Sequence, residues 1–316
     1  MKITLLDAAT LGYDMDFDKL GRFGELEVYQ TTPSDKIEER ISNSDIVIVN
    51  KVRLDGAVLK NARRVRLICE AATGYDNIDI EWCAAHGIAV SNVVGYSSDS
   101  VAQITVATVL SLVSHLNEYS NFVSDGSYSR SGVATRISPT YREISGSVWG
   151  IVGYGNIGRR VAEVAKALGC QVIVCKNTPV EGIECVDINE LCKRSDIITL
   201  HTPLNDSTRG LIGREQIGLM KKTAIVVNES RGAVVDEEAL AEAVKDGRIA
   251  GLGSDVYSVE PFSESHPYYE IKDRENVCFT PHMAWGAYEA RERCLNEISK
   301  NILAFINGNR RNRVEL

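Results

Sequence analysis

Residues 148–158 read VWGIVGYGNIG, a short apolar run that leads directly into a glycine-rich loop. The apolar run has the length and composition of a buried strand. Apolar side chains then recur at helical spacing, at Val161, Val164, Ala165 and Leu168. Gly169 ends this helical pattern, and a second apolar run occupies residues 172–175. Strand, glycine loop, helix and strand in this order predict a unit that binds a dinucleotide.

The loop contains three glycines, Gly153, Gly155 and Gly158, and each suits that task. Without side chains they let the backbone approach a pyrophosphate. The helix that follows offers free N–H groups and the positive end of its dipole to the negative charge. A tight turn without a ligand is the alternative interpretation, but the flanking strands and helix favour the dinucleotide.

The chain has 316 residues and a formal net charge of −8. Its length predicts two domains, and its acidic charge argues against nucleic acid or an anionic membrane as a partner. No uninterrupted apolar stretch reaches the roughly 18 residues of a membrane span, and the N-terminus is typical of a strand rather than a signal peptide. The eight cysteines form no Cys-x-x-Cys pair, which indicates free thiols in a reducing cytoplasm and no metal site.

Apolar runs alternate with helical stretches along the whole chain. The runs outside the glycine-loop segment occupy residues 3–6, 46–49, 67–69, 88–90, 197–200, 224–228, 249–252 and 277–280. This alternation predicts an α/β fold with two doubly wound parallel-sheet domains, Rossmann-like or flavodoxin-like, in which helices cover both faces of each sheet.

The glycine loop begins near the middle of the chain, so most of the residues before it belong to another domain. The apolar segment Ser98–Val113 has the length of a helix that crosses into the cofactor domain, and residues 287–306 predict a terminal helix. We therefore expect a split substrate-binding domain, residues 1–98 plus 286–316. An NAD(P)-binding domain, residues 99–285, is inserted between its halves.

Three residues with complementary chemistry follow the glycine loop: Arg231, Glu260 and His282. A histidine held protonated by a carboxylate can add a proton to a carbonyl oxygen, and a guanidinium can grip a carboxylate or a carbonyl. The trio suits hydride addition to a 2-keto acid, and the dinucleotide site provides the hydride donor. Taken singly, each of these residues is equally typical of a solvated loop.

The segments around these residues resemble the D-isomer-specific 2-hydroxyacid dehydrogenase family. The resemblance covers nearly the whole chain and is carried by residues 72–79, 95–102, 153–158, 201–204 and 228–237 and by the pairs Glu260-Pro261 and Pro281-His282. Within the family, the branch of glycerate dehydrogenases, or hydroxypyruvate reductases, is most similar at residues 282–285, 289–291 and 301–314.

The resemblance implies an enzyme that uses NAD or NADP to reduce a small 2-keto acid, hydroxypyruvate or glyoxylate, to the D-2-hydroxy acid, and that also catalyses the reverse. His282 would be the general acid, and Glu260 would favour and orient its imidazolium. Arg231 would bind the substrate carboxylate and polarise the carbonyl. Backbone amides at Thr73 and Gly74 would meet the same carboxylate.

The resemblance also implies a set of cofactor contacts. Besides the three glycines, these are Asn156 and Ile157 at the pyrophosphate, Asp255 at the nicotinamide carboxamide, Asn228 and Ser230 in the same cleft, and His201 and Pro203 on the adenine side. For His201 a purely structural role, as a cap at the end of a core strand, is the alternative.

Two residues depart from the family pattern. Lys176 stands at the end of the second strand, where an acidic residue would bind the ribose 2′-hydroxyl. Its charge suits a 2′-phosphate, so we expect NADP to be accepted, with Asn177 and Thr178 completing the pocket; the alternative is that Lys176 points to solvent and NAD is used. Glu229 replaces a small or neutral residue and could pair with Lys176, with Arg231 or with solvent.

Other readings of the same scaffold stay open on the sequence. D-lactate and phosphoglycerate dehydrogenases share it, and a nucleotide-sensing corepressor shares both the fold and the trio. The resemblance further implies a homodimer joined through the cofactor domain, with residues 124–145 as the dimer arm. The remaining histidines outside the cofactor region, His86, His115 and His266, lie in no chemical constellation and are interpreted as surface or packing residues.

Overall fold

The computed structural model describes residues 1–176 and 178–316, which form two compact units. Unit 1 comprises Met1–Ser97 and Gly286–Leu316, and unit 2 comprises Ser98–Trp285. Asn177, which the sequence predicts to lie in a phosphate pocket with Lys176, is outside the described residues.

Each unit is built on one parallel sheet. In unit 1 the described strands are β1 (Lys2–Leu5), β2 (Glu25–Val28), β3 (Ile46–Val49), β4 (Leu67–Glu70) and β5 (Ala89–Ser91), in the order β2-β1-β3-β4-β5. In unit 2 they are β6 (Val148–Val152), β7 (Gln171–Cys175), β8 (Glu184–Cys185), β9 (Ile197–Leu200), β10 (Ile225–Asn228), β11 (Gly251–Ser254) and β12 (Val277–Phe279), in the order β12-β11-β10-β9-β6-β7-β8. The predicted α/β class with two parallel-sheet domains is confirmed.

Most of the helices lie between successive strands, and the last helix follows the last strand, β12. In chain order they are α1 (Ile37–Ile41), α2 (Gly56–Leu59), α3 (Ile80–Ala85), α4 (Ser98–Val113), α5 (Leu116–Ser124), α6 (Ser127–Ser131), α7 (Asn156–Ala167), α8 (Ile188–Arg194), α9 (Arg214–Leu219), α10 (Glu237–Lys245) and α11 (Tyr288–Ile306). Four of them start after an aspartate whose carboxylate accepts the N–H three residues on: Asp55, Asp79, Asp187 and Asp236. These caps satisfy amides that have no partner inside the helix, which fixes where each helix begins.

Within the described residues no single helix is long and apolar enough to cross a membrane, and α4 and α5 meet that test only as a pair bent by 68°.

The core of unit 2 lies on both faces of its sheet. Neighbouring residues of a strand point to opposite faces, and β10 shows the consequence. Val226 packs in the cluster that contains Leu240 of α10, whereas Val227 packs in the cluster that contains Val109 of α4 and Val161 of α7. Burial on both faces explains why β10 reads as an unbroken apolar run in the sequence.

The carboxyl ends of all strands in a parallel sheet lie at one edge, where ligands of such folds bind. In unit 2 this edge collects most of the predicted site, namely Gly153 after β6, Lys176 after β7, His201 after β9, Arg231 after β10, Asp255 after β11 and His282 after β12. These six residues, although far apart in the sequence, thus lie at one edge of one sheet.

Candidate active site

The glycine loop joins β6 to α7 with little space to spare. Gly153 has φ +90, and a Cβ added there would lie 2.7 Å from the carbonyl oxygen of His201. A Cβ on Gly158 would lie 2.2 Å from the carbonyl oxygen of Gly153, so both positions require glycine. At Gly155, the residue before α7, nothing lies within 4 Å of an added Cβ. That open space at the start of the 12-residue helix, beside Asn156 and Ile157, fits a pyrophosphate on the helix N-terminus.

His201 follows β9 and borders the glycine loop. Its backbone N–H donates to the Val152 carbonyl oxygen over 2.8 Å, which continues the sheet. Both ring nitrogens are buried and have no hydrogen-bond partner among the described residues. Burial lowers the pKa of the His201 imidazole to about 3, so the ring is neutral. Buried ring nitrogens without a partner call for an explanation, and a nucleotide bound next to the glycine loop would supply one.

The adenosine end of the edge is more open. Lys176, which directly follows β7, is exposed, and so are Thr178 and Pro203. The side chain of Lys176 is thus accessible to a ligand, which agrees with either of the two interpretations made from the sequence.

The loop after β10 is shaped by Asn228. Its Oδ1 accepts the N–H of Ser230 over 3.1 Å and the Ser230 hydroxyl over 2.7 Å, and its Nδ2 donates to the Arg231 carbonyl oxygen over 3.0 Å. Asn228 and Ser230 are both buried. These side chains therefore fold the loop that presents Arg231, a role that the sequence did not reveal.

A close backbone contact ties this loop to the one that carries Glu260. A Cβ added to Gly232 would lie 2.0 Å from the Ser258 nitrogen and 2.0 Å from the Tyr257 carbonyl carbon. Only glycine permits this approach, so the residue after Arg231 fixes the spacing between the two loops.

Glu260 and His282 form a hydrogen-bonded pair. His282 Nδ1 donates to Glu260 Oε2 over 2.6 Å, and the other oxygen, Oε1, accepts the Tyr257 N–H over 2.9 Å. Because both carboxylate oxygens are held, Glu260 fixes the orientation of the imidazole through Nδ1. The other ring nitrogen, Nε2, lies on the opposite side of the ring from this bond. The pair is partly accessible, with 22% of the His282 side chain and 32% of the Glu260 side chain exposed.

His282 itself is held in an unusual backbone conformation. Its φ is +52, in the left-handed region that residues other than glycine seldom adopt. Trp285 Nε1 donates to the His282 carbonyl oxygen over 3.0 Å, and the His282 N–H donates to the Thr280 carbonyl oxygen over 3.1 Å. A strained backbone conformation persists only where the surrounding contacts hold it in place, and such positions are frequent at functional sites.

Asp255 provides several of the hydrogen bonds that hold this conformation in place. Its Oδ1 accepts the Thr280 hydroxyl over 2.6 Å and the Met283 N–H over 2.8 Å, while Oδ2 accepts the Ala284 N–H over 2.8 Å. The carboxylate that the resemblance assigns to the nicotinamide carboxamide therefore braces the loop of His282 from both sides. Sequence reasoning missed this brace, because it depends on how residues 280–284 fold.

Thr73 and Gly74 lie in unit 1, in the loop after β4. The Thr73 hydroxyl donates to the Val93 carbonyl oxygen over 2.8 Å, and Asn92 Nδ2 donates to the Thr73 carbonyl oxygen over 2.7 Å. Gly74 is exposed. The bonds to residues 92 and 93 anchor this loop to the segment that follows β5, and its predicted contact with a substrate carboxylate stays a prediction.

Glu229 meets none of the three partners considered from the sequence. Both carboxyl oxygens are buried and lack a hydrogen-bond partner among the described residues. Burial, with a smaller contribution from the nearby Asp255 carboxylate, raises the pKa of Glu229 well above its ordinary value of 4.5. Burial in unit 2 therefore favours the protonated, uncharged form of this carboxyl group.

We expect this burial to make stability depend on pH. Above pH 4.5 the unfolded chain ionises Glu229 while the folded chain keeps it protonated, so stability falls as pH rises towards the folded pKa. The slope is about 1.4 kcal/mol per pH unit. Glu229→Gln should remove this pH dependence. Urea unfolding from about pH 5 to 8 should therefore show the free energy of unfolding of the variant rising relative to that of the wild type as pH rises. Glu238→Gln, at an exposed position of α10, is the control; equal slopes for all three proteins would refute the prediction.

Comparison with known proteins agrees with this geometry. Residues 106–284 match the family model of the D-isomer specific 2-hydroxyacid dehydrogenase NAD binding domain. The chain belongs to this family. The chain is 35% identical over 315 residues to glycerate dehydrogenase from Methylorubrum extorquens, covering 99% of each protein. It is 33% identical over 317 residues to hydroxypyruvate reductase from Blautia hydrogenotrophica, covering 98% of each.

A similar solved structure is that of an acyclic imino acid reductase in complex with NADPH and D-Arg. It superposes with a TM-score of 0.89 at 32% identity, covering 99% of this chain and 100% of that one. Family membership makes the protein an NAD(P)-dependent oxidoreductase that reduces small 2-keto acids to 2-hydroxy acids. The predictions of family, enzyme class and general reaction are confirmed.

Proposed function

We propose that this dehydrogenase reduces hydroxypyruvate to D-glycerate and glyoxylate to glycolate, with His282 as the general acid. The 2.6 Å bond between His282 Nδ1 and Glu260 Oε2 carries the proposal. A carboxylate at Nδ1 fixes the orientation of the ring, so that Nε2 is the nitrogen that passes a proton to the substrate oxygen. In the reverse direction the same nitrogen removes the proton from the hydroxyl group.

Arg231 is proposed to bind the substrate carboxylate. Its position is set by the Asn228 turn and by the contact of Gly232 with the loop of Glu260, and its Nη1 donates to the Ser230 carbonyl oxygen over 2.9 Å. A planar guanidinium can hold a carboxylate by two parallel bonds, which fixes the substrate as well as attracting it. Thr73 and Gly74 are proposed as further donors to that carboxylate.

The cofactor, when bound, supplies the hydride. The residues proposed to hold it are the glycine loop with Asn156 and Ile157 for the pyrophosphate, His201 and Pro203 for the adenine side, and Asn228, Ser230 and Asp255 near the nicotinamide. The support is the open space at Gly155 and the two unsatisfied nitrogens of His201. Asp255 also holds the loop that presents His282.

The test of this proposal is a panel of substrates. Oxidation of NADH and of NADPH is followed with hydroxypyruvate, glyoxylate, pyruvate and phosphohydroxypyruvate. We expect the first two to be preferred in kcat/KM. A preference for pyruvate would favour a D-lactate dehydrogenase and one for the phosphorylated acid a phosphoglycerate dehydrogenase. No turnover with any acid would favour a nucleotide-sensing binding protein.

Reduction of imino acids is a second candidate, since the chain is about as similar to the imino acid reductase as to the two hydroxyacid relatives. Amines condense with 2-keto acids to imino acids in solution, so pyruvate with and without methylamine discriminates the two reactions. Faster NADPH oxidation in the presence of the amine, with an N-methyl amino acid as product, would favour this candidate.

We further propose that NADP is accepted, with Lys176 at the 2′-phosphate. The support is its exposed position directly after β7, where the ribose of a dinucleotide is expected. Lys176→Ala should raise the KM for NADPH by about tenfold, because one exposed charge-assisted contact contributes about 1.4 kcal/mol. The KM for NADH should stay within about twofold of the wild-type value. Lys166→Ala, an exposed lysine near the end of α7, is the control. A clear NADH preference that persists in Lys176→Ala would rule out this role.

A homodimer and a cytoplasmic location complete the proposal, with neither nucleic acid nor a membrane as partner. Unit 2 exposes apolar side chains along the predicted arm, among them Val133 at 59%, Ile137 at 84% and Tyr141 at 56%. Exposed apolar groups so close in sequence are typical of an association surface. The eight cysteines are free thiols, as expected in a reducing compartment. Light scattering that gives the mass of one chain would contradict the dimer.

A further inference from the structure

Unit 2 contains a second carboxylate–histidine pair, Glu237 and His266. His266 Nε2 lies 3.0 Å from Glu237 Oε2, and only 6% and 8% of the two side chains are exposed. From the sequence, His266 is interpreted as a surface or packing residue. The structure shows it buried and packed, and adds a partner that the sequence did not reveal, Glu237, 29 positions away.

The hydrogen bonds of His266 define its protonation state. Its Nδ1 accepts the Tyr268 N–H over 3.2 Å and thereby caps the short 3-10 helix Pro267–Glu270. A nitrogen that accepts carries no proton, so the proton of the neutral ring is on Nε2 and is donated to Glu237. His266 is thus a fixed donor, and Glu237 is its acceptor.

The Glu237 carboxylate is also bound to the loop that carries Glu260. Its Oε1 accepts the Ser258 N–H over 2.9 Å, and its Oε2 accepts the Ser258 hydroxyl. Glu237 is the first residue of α10, where the helix dipole favours a negative charge. Ser258 is therefore held at its backbone and at its side chain by one carboxylate.

Ser258 adjoins Tyr257, whose N–H is the donor to Glu260 Oε1. The Tyr257 ring packs edge-on against Phe262 and His266, with centroids 4.7 and 6.1 Å apart. A continuous set of contacts thus runs from Glu237 and His266 through residues 257 and 258 to the carboxylate that orients His282.

We propose that Glu237 and neutral His266 are positioning residues that hold Glu260 in register with His282. The inference rests on the proposed function of the Glu260–His282 pair. Loss of the buried pair would let residues 257–260 shift, and small displacements of this kind lower the rate of the chemical step more than they weaken binding. The expected signature is a lower kcat with little change in KM or in cofactor affinity.

The test uses Glu237→Gln and His266→Asn. Asparagine can keep the cap on Pro267–Glu270 while losing the bond to Glu237. For both variants we expect kcat with hydroxypyruvate to fall roughly tenfold, with KM and the Kd for NADH within about twofold of the wild type. Ser258→Ala, which keeps the backbone donor, should have a smaller effect, and Glu238→Gln, at an exposed neighbour on α10, none.

A readout independent of turnover is the low-field proton resonance of His282 Nδ1–H, assigned by its loss in His282→Ala. We expect Glu237→Gln and His266→Asn to shift or broaden it, and Glu238→Gln to leave it unchanged. An unchanged resonance with unchanged kcat would overturn the inference. A parallel loss of kcat, substrate affinity, cofactor affinity and Tm would also overturn it, because that pattern indicates a merely structural role.

Glu260→Gln separates this inference from the proposed function. If Glu260→Gln lowers kcat and the two positioning variants do not, only the inference fails. If Glu260→Gln itself keeps the wild-type kcat, the proposed function fails and the inference with it.

Discussion

Replacing His282 by alanine is expected to lower kcat/KM for hydroxypyruvate by about 10²- to 10⁴-fold, the usual contribution of a positioned general acid. The variant loses the imidazole whose Nδ1 donates to Glu260 Oε2 over 2.6 Å, and with it the proton for the substrate oxygen. Affinity for NADH, measured by fluorescence titration, should change little, because the glycine loop and His201 are untouched. Steady-state kinetics from stopped-flow traces measure the loss.

His86→Ala is the matched control for this variant. His86 is an exposed histidine that, like His282, is bonded through Nδ1, in its case to the Trp82 carbonyl oxygen, and it stacks on the Trp82 ring 3.7 Å away in unit 1. It should retain normal kinetics. Normal turnover by His282→Ala would refute the proton-transfer role outright.

Replacing Arg231 by glutamine is expected to have the second-largest effect. Removing one member of a charge-assisted pair costs about 3 kcal/mol, or roughly 150-fold in kcat/KM. Because the guanidinium is proposed both to bind the carboxylate and to polarise the carbonyl, KM should rise and kcat should fall together. Arg231→Lys should recover only part of the loss, since an ammonium lacks the planar fork. Full kinetic curves with hydroxypyruvate for all variants provide the measurement.

The control for Arg231 is Arg248→Gln. Arg248 is exposed, pairs with Glu242 and Asp246, and precedes β11, at the sheet edge opposite the site. Its removal should leave kcat/KM unchanged. Wild-type kcat/KM in Arg231→Gln would show that the carboxylate is bound elsewhere.

The fold was largely readable from the sequence because periodicity and burial agree. The helix Ser98–Val113 has the predicted bounds, and β10 follows the unbroken apolar run of a strand buried on both faces. β2 was missed because it alternates Glu25 and Glu27 with apolar residues at the edge of its sheet, and β8 was missed because it spans only two residues. β11 lies two residues later than predicted.

Only part of the candidate site was recognisable from the sequence. The proposed reactive groups, Arg231, Glu260 and His282, were recognisable from the sequence because each stands in a segment that resembles the family. The groups that hold them were not, because Asp255 and Glu237 act through backbone amides that converge only after folding. The burial of Glu229 was equally unpredictable, since it depends on how unit 2 packs around this position.

The most direct test of the central claim is transfer of a label. The protein is incubated with hydroxypyruvate and a reduced nicotinamide cofactor that carries deuterium at both C4 positions, and the glycerate is analysed by NMR and chiral chromatography. We predict D-glycerate with one deuterium at C2 for each cofactor oxidised, formed by the wild type and almost absent with His282→Ala. Glycerate without deuterium at C2, the L-isomer, or no oxidation of either NADH or NADPH would contradict hydride transfer to a 2-keto acid at this site.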